Sequence, residues 1–198
     1  MAEITASLVK ELREKTGAAM MACKKVLEET GGDLEKAVVE LRKRDAKLAD
    51  KRASRAAKDG VVASYIHMEG RIGVLLEVNC ETDFVAKNQK FREFVKELTL
   101  HIAAAAPRYV SRQQVPQEVV DREKEIFAEQ MKDKPAKSVE KIMEGKLNKF
   151  FSTVCLLEQG FIKDENLTIE DLVKAKIGEI GENIVVRRFT RYALGEEL

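Results

Sequence analysis

The stretch Ile72-Gly73-Val74-Leu75-Leu76-Glu77-Val78-Asn79-Cys80-Glu81-Thr82-Asp83-Phe84-Val85-Ala86-Lys87-Asn88 changes character halfway along. Residues 72–79 are rich in Val, Leu and Ile and predict a strand. Thr82 then fits a helix N-cap, and Asp83 suits the positive end of the helix that follows. Upstream, Val61-Val62-Ala63-Ser64-Tyr65-Ile66-His67-Met68 reads as a second strand, and Glu69-Gly70-Arg71 turns the chain between the two. The pair predicts a β-hairpin. Downstream, Phe91, Phe94, Val95, Leu98 and Ile102 share one helical face, and the helix ends before Pro107. A hairpin running straight into an amphipathic helix points to a mixed fold.

The remaining C-terminal chain agrees with that reading. Pro116 opens a helix that reaches about Lys132, and Ala136 to Asn148 predicts another. Phe150 to Leu157 is apolar without a defined period. Thr168 caps a last helix carrying Ile169, Leu172, Val173 and Ile177, and Asn183 to Tyr192 is a strand able to join the hairpin. Residues 61–198 therefore predict an α+β core domain, a small antiparallel sheet covered by helices.

The N-terminal 45 residues differ. Thr5 caps a first helix with Leu8 and Leu12 on one face, and Thr16-Gly17 stops it. A second helix carries Met21, Val26 and Leu27 and ends at Gly31-Gly32. Asp33 caps a third with Leu34, Ala37, Val38 and Leu41 at helical spacing. Residues 1–45 read as a three-helix module and 46–60 as a basic, mostly helical linker. The wider segment 42–58 holds eight basic residues against two acidic ones. Such a run is a solvated face, or an arm for RNA or an acidic partner.

Composition excludes several classes. The 198 residues carry 35 Lys+Arg against 34 Asp+Glu, a net charge of +1, which does not suit a dedicated nucleic-acid binder. No stretch approaches the ~20 apolar residues of a membrane helix, and the first residues lack the basic-then-apolar order of a secretory signal. Cys23, Cys80 and Cys155 are odd in number and far apart, so they read as reduced thiols of a cytoplasmic protein. His67 and His101 are too few for a histidine metal site. No phosphate loop, nucleophile elbow or paired carboxylates can be named. A Cys80–His67 nucleophile is the weaker reading beside Cys80 as core filling. The chain reads as a non-enzyme that works by binding and needs no cofactor.

Ile177-Gly178-Glu179-Ile180-Gly181-Glu182-Asn183-Ile184 matches the outline of the KH RNA-binding loop. Glu179 and Glu182 place negative charge where phosphate would lie, so Gly178 and Gly181 read as a helix stop and a turn into the last strand. The alternative function is an RNA-binding module using residues 42–58 and this turn. A weaker alternative is an adaptor for a ubiquitin-like partner built on the first module. Phe84 has two readings by spacing, a core anchor or an exposed wedge at a partner contact.

Three segments together resemble the bacterial elongation factor Ts family, in its order and over nearly the whole chain. They are Leu8 to Lys25, containing Thr16-Gly17-Ala18-Ala19-Met20-Met21; Glu77 to Ala86, containing Thr82-Asp83-Phe84-Val85; and Gly145 to Phe150 with Glu158 to Asp164. The resemblance implies an N-terminal module similar to the ubiquitin-associated fold and an α+β core. It implies guanine-nucleotide exchange on elongation factor Tu, with Thr82, Asp83, Phe84 and Val85 at the contact. Arg13, Met20, Met21 and His101 align with further family contacts, although Met21 and His101 equally fit core roles. The chain has one core repeat and no coiled-coil insertion, like the short members, some of which pair through the sheet. The position of their cross-linking Cys is Thr190 here, which leaves a non-covalent homodimer open.

Overall fold

The computed structural model describes residues 4–130 and 136–196. The elements follow in the order α1 (Ala6–Thr16), α2 (Met20–Glu29), α3 (Leu34–Arg52), β1 (Asp59–His67), β2 (Ile72–Cys80), α4 (Asp83–Lys87), α5 (Gln89–Ala105), α6 (Gln117–Glu129), α7 (Ala136–Val154), β3 (Gly160–Phe161), β4 (Asp164–Thr168), α8 (Ile169–Ile180) and β5 (Val185–Ala193). The terminal strand joins the hairpin in the order β1-β2-β5, while β3 and β4 form a separate antiparallel ladder. The class is the α+β one the sequence predicts, a small antiparallel sheet packed with helices beside an N-terminal helical module.

Two compact units emerge. One comprises Met1–Ala63, Glu77–Lys96 and Glu170–Arg187; the other comprises Ser64–Leu76, Glu97–Ile169 and Arg188–Leu198. In the first, α1 to α3 pack around Val9, Leu12, Cys23, Val26, Leu27, Ala37 and Leu41. Local chemistry fixes the helix ends. Thr5 Oγ1 accepts the Leu8 N–H at 3.3 Å, and Asp33 Oδ1 accepts the Lys36 N–H at 3.0 Å. At the other end of α1, the Gly17 N–H donates to the Arg13 carbonyl at 2.8 Å. The first unit also buries Val78, Cys80, Phe91, Phe94, Val95, Ile177 and Val186. The second buries Leu76, Leu98, Ile102, Leu156 and Phe161, and a cluster of Val115, Val154 and Cys155 backs onto Tyr109, Val119, Val120, Phe150 and Phe151.

Some sequence expectations shift. The third helix runs beyond the 1–45 module, through the first part of the helical linker, to Arg52, held by buried Ala49 and by Arg52 Nη1 donating to the Ile177 carbonyl at 2.8 Å. α7 continues past Asn148 to Val154, so most of the apolar segment of undefined period is its last turns, followed by a 3₁₀ turn at Leu156–Glu158. α6 starts just after Pro116, and its expected end near Lys132 lies outside the described residues. The β3–β4 ladder was not foreseen. Gly178 is corrected most clearly, because it does not stop a helix. α8 runs through it to Ile180, and Gly181, at φ 91°, makes the stop. A Cβ at Gly178 would stand 2.8 Å from Asp45 Cγ, so this glycine is what lets α3 and α8 approach.

Candidate functional site

The strand-to-helix loop between β2 and α4 is held by bonds from several parts of the first unit. α4 has five residues, too few to persist alone, since helix nucleation is costly and short helices are marginal. Its ends are therefore fixed by other parts of the chain. Thr82 Oγ1 accepts the Val85 N–H at 3.4 Å, a long capping bond. Ala86 is buried, and its carbonyl accepts Arg92 Nε at 3.1 Å. Asn88 breaks the helix in extended backbone, and its Oδ1 accepts the Lys90 N–H at 2.8 Å to start α5.

Across about 100 residues of sequence, the corner between α8 and β5 grips the same loop. The Glu182 carboxylate accepts three hydrogen bonds: from the Glu81 N–H at 3.1 Å, the Thr82 N–H at 3.0 Å and the Thr82 hydroxyl at 2.6 Å. The Glu81 carboxylate answers in the opposite direction. It accepts the Asn183 N–H at 2.6 Å and pairs with Arg55 at 3.6 Å. Asn183 Nδ2 donates to the Arg55 carbonyl at 2.8 Å. Glu179 pairs with both Lys90 and Lys176 at 2.7 Å, and these cations hold its carboxyl below the usual range against the effect of burial. The glycine turn resembling an RNA-clamping loop is thus occupied internally, with both acids bound to this chain.

What this frame presents outward is apolar and acidic. Phe84 is 81% exposed, so the core-anchor reading is removed. Asp83 is exposed beside it, and Lys87 Nζ donates to its Oδ2 at 2.6 Å. That bond first, with Lys87's charge behind it, keeps the Asp83 carboxyl below the ordinary range. Val85 is half-buried, and Thr82 is exposed while locked to Glu182.

The other predicted residues divide. Arg13 is exposed on α1. Met20 is 54% and Met21 74% exposed at the start of α2, so neither is core. They follow Gly17, where an added Cβ would lie 3.5 Å from Glu179 Oε2, so the α1–α2 turn passes close to the end of α8. His101 does not join this surface. It is fully buried, with Nε2 3.0 Å from Gln159 Oε1. Gln159 Nε2 donates to the Thr153 and Ala105 carbonyls, which leaves its Oε1 to accept from the imidazole. His101 Nδ1 is then a buried acceptor without a partner among the described residues. Burial pushes its pKa down, partly opposed by Gln159. The spacing Phe94, Leu98, His101 placed it on the core stripe of α5.

The thiol and imidazole nearest the loop in sequence are both engaged within the chain. Cys80 is buried, its Sγ donates to the Thr82 carbonyl at 3.2 Å, and burial first and Glu182 second push the thiol up to about 11. His67 is engaged at 2.8 Å with Tyr65 Oη. Among the described residues no group of three or more His, Cys, Asp or Glu is placed to hold a metal, and no helix is long and apolar enough to cross a membrane. Of the basic stretch, Arg44 pairs with Glu29 and Glu40, and Arg52 and Arg55 are used inside the fold. Arg42, Lys43, Lys47, Lys51 and Lys58 are exposed. Glu182 and Asn183 were missed as site residues, since a bond between side chain and backbone across 100 positions leaves no local pattern.

Comparison with known proteins supplies the family. The sequence model described as "Elongation factor TS" matches residues 2–196. The chain is 55% identical to "Elongation factor Ts" of Thermodesulfovibrio yellowstonii over 194 residues, covering 98% of this chain and 97% of that one. It is 55% identical to that of Thermosipho melanesiensis over 195 residues, covering 98% and 100%. Against that of Carboxydothermus hydrogenoformans it is 56% identical over 197 residues, covering 98% and 91%.

Proposed function

The chain belongs to the elongation factor Ts family, and from that premise we propose that it is a guanine-nucleotide exchange factor for elongation factor Tu. The observation that carries the reading is Phe84, an aromatic side chain left 81% exposed on a turn whose backbone is held from both sides. A large exposed aromatic on a fixed loop, with an acid beside it, suits insertion into a partner's cleft. Met20 and Met21 offer a second apolar contact from the N-terminal module. His101 enters the proposal as a core residue of the second unit and not as a contact.

In this reading Asp83 and Phe84 press into the nucleotide-binding domain of the GTPase. They displace the elements that hold its Mg²⁺ and the phosphates of GDP. The metal bridges and neutralises those phosphates, so loosening it weakens GDP binding. Each ~1.4 kcal/mol of weakening is about tenfold in affinity. Linkage is reciprocal: GDP weakens the grip of this protein by the same factor, and GTP entering the vacated site releases the exchanger. No covalent bond is made or broken by this chain, and it works as a binding protein in translation elongation.

The test is release of a fluorescent GDP analogue from purified elongation factor Tu. Adding the protein is expected to speed release in a concentration-dependent, saturable way. Equal rates with and without it would refute the proposal.

A further inference from the structure

We infer that Glu182 is a positioning residue for nucleotide exchange: its carboxylate sets the backbone and capping hydroxyl from which Asp83 and Phe84 project. The inference rests on the exchange reading above and deepens it. Three donors converge on this one carboxylate, and all three belong to the two residues that precede α4. Thr82 Oγ1 has a double duty. It donates to Glu182 at 2.6 Å and accepts from the Val85 N–H at 3.4 Å. The short bond to an anion orients the hydroxyl, and the long one caps a helix too short to hold itself. The two N–H groups held by Glu182 fix the chain direction into Asp83. The reverse bond from the Asn183 N–H to Glu81 closes the lock, so the corner cannot slide along the loop.

A wedge acts by fitting a partner, and its contribution falls when it must be ordered at the moment of contact. Glu182 removes that ordering step. Its carboxylate already accepts three hydrogen bonds within the chain.

Glutamine at this position keeps the size but loses the charge and one acceptor oxygen. The experiment compares wild type, Glu182→Gln, Phe84→Ala and the double variant in release of the fluorescent GDP analogue, together with thermal melting of each. Glu182→Gln is expected to lower stimulated release about tenfold, while Glu182→Asp, which keeps the carboxylate, recovers part of the loss. In the Phe84→Ala background the same Glu182→Gln change is expected to cost much less, because the aromatic part of what Glu182 positions is then gone. A merely stabilising role would shift melting equally in both backgrounds and leave release per folded molecule unchanged. Glu182→Gln matching wild type, or its full loss persisting on top of Phe84→Ala, overturns the Glu182 assignment alone. Wild type failing to stimulate release overturns both this and the exchange reading.

Discussion

Replacing Phe84 by alanine should separate folding from function almost completely. Full burial of a Phe side chain stabilises a protein by about 2–3 kcal/mol. Phe84 is 81% exposed, so only about one-fifth of that, roughly 0.5 kcal/mol, is at stake in the free protein. In a domain of this size such a loss lowers the melting temperature by about 1–2 °C. In the complex the same side chain is a candidate anchor, and truncating an anchor costs about 2–4 kcal/mol. That corresponds to roughly 30- to 1,000-fold weaker action on the GTPase. Stopped-flow release of the fluorescent GDP analogue, over a range of exchanger concentrations, reads the second quantity, and differential scanning calorimetry reads the first. Melting lowered by ~8 °C or more would mean the ring is supporting the core. A variant as active as wild type would mean the ring does not enter the partner. Either result defeats the reasoning.

Gly178→Ala should destabilise by about 1–3 kcal/mol, read in urea unfolding, because the new methyl meets the Asp45 carboxylate. The double variant with Asp45→Ala should recover most of it and add some helix propensity. Asp45 itself is half-buried, and burial raises its pKa to about 6 from an ordinary 3.8. The folded state therefore binds the proton more tightly than the unfolded chain, and stability rises as pH falls from about 7 to 4, by up to about 3 kcal/mol. Asp45→Asn should abolish that rise and melt higher than wild type at pH 8. His101 acts in the opposite direction: its pKa is lowered in the folded state, so stability is lost as pH falls below the unfolded value near 6.5. In the Asp45→Asn background, melting from pH 7.5 to 5 should expose this loss, and adding His101→Gln should flatten it.

Most of the architecture was legible because its signals are local. Thr5, Gly17 and Asp33 mark helix ends by their own hydrogen bonds, and the hairpin and last strand declare themselves by period. β3 was not legible, because two residues cannot show a period, and its pairing with β4 depends on Gly160 facing Thr168. The role of Gly178 was hidden for another reason. A glycine signals a turn by itself, but here the requirement comes from a carboxylate on a helix 133 positions earlier. At the site, residue types named Phe84 and Met21 but could not settle which way they face. Their 81% and 74% exposure is a property of how the flanking loop and turn are tied down. His101 was legible as core from its place on the stripe of α5, three residues after buried Leu98.

The grip of Glu182 on Thr82 spans 100 positions. A contact so distant in sequence forms late, after long loops have closed. During synthesis, the Thr82–Val85 segment leaves the ribosome well before Glu182 is added. Until then the growing chain carries every residue of the wedge without the brace that aims it. On the proposed exchange reading, the loop is aimed only once the corner between α8 and β5 has been made.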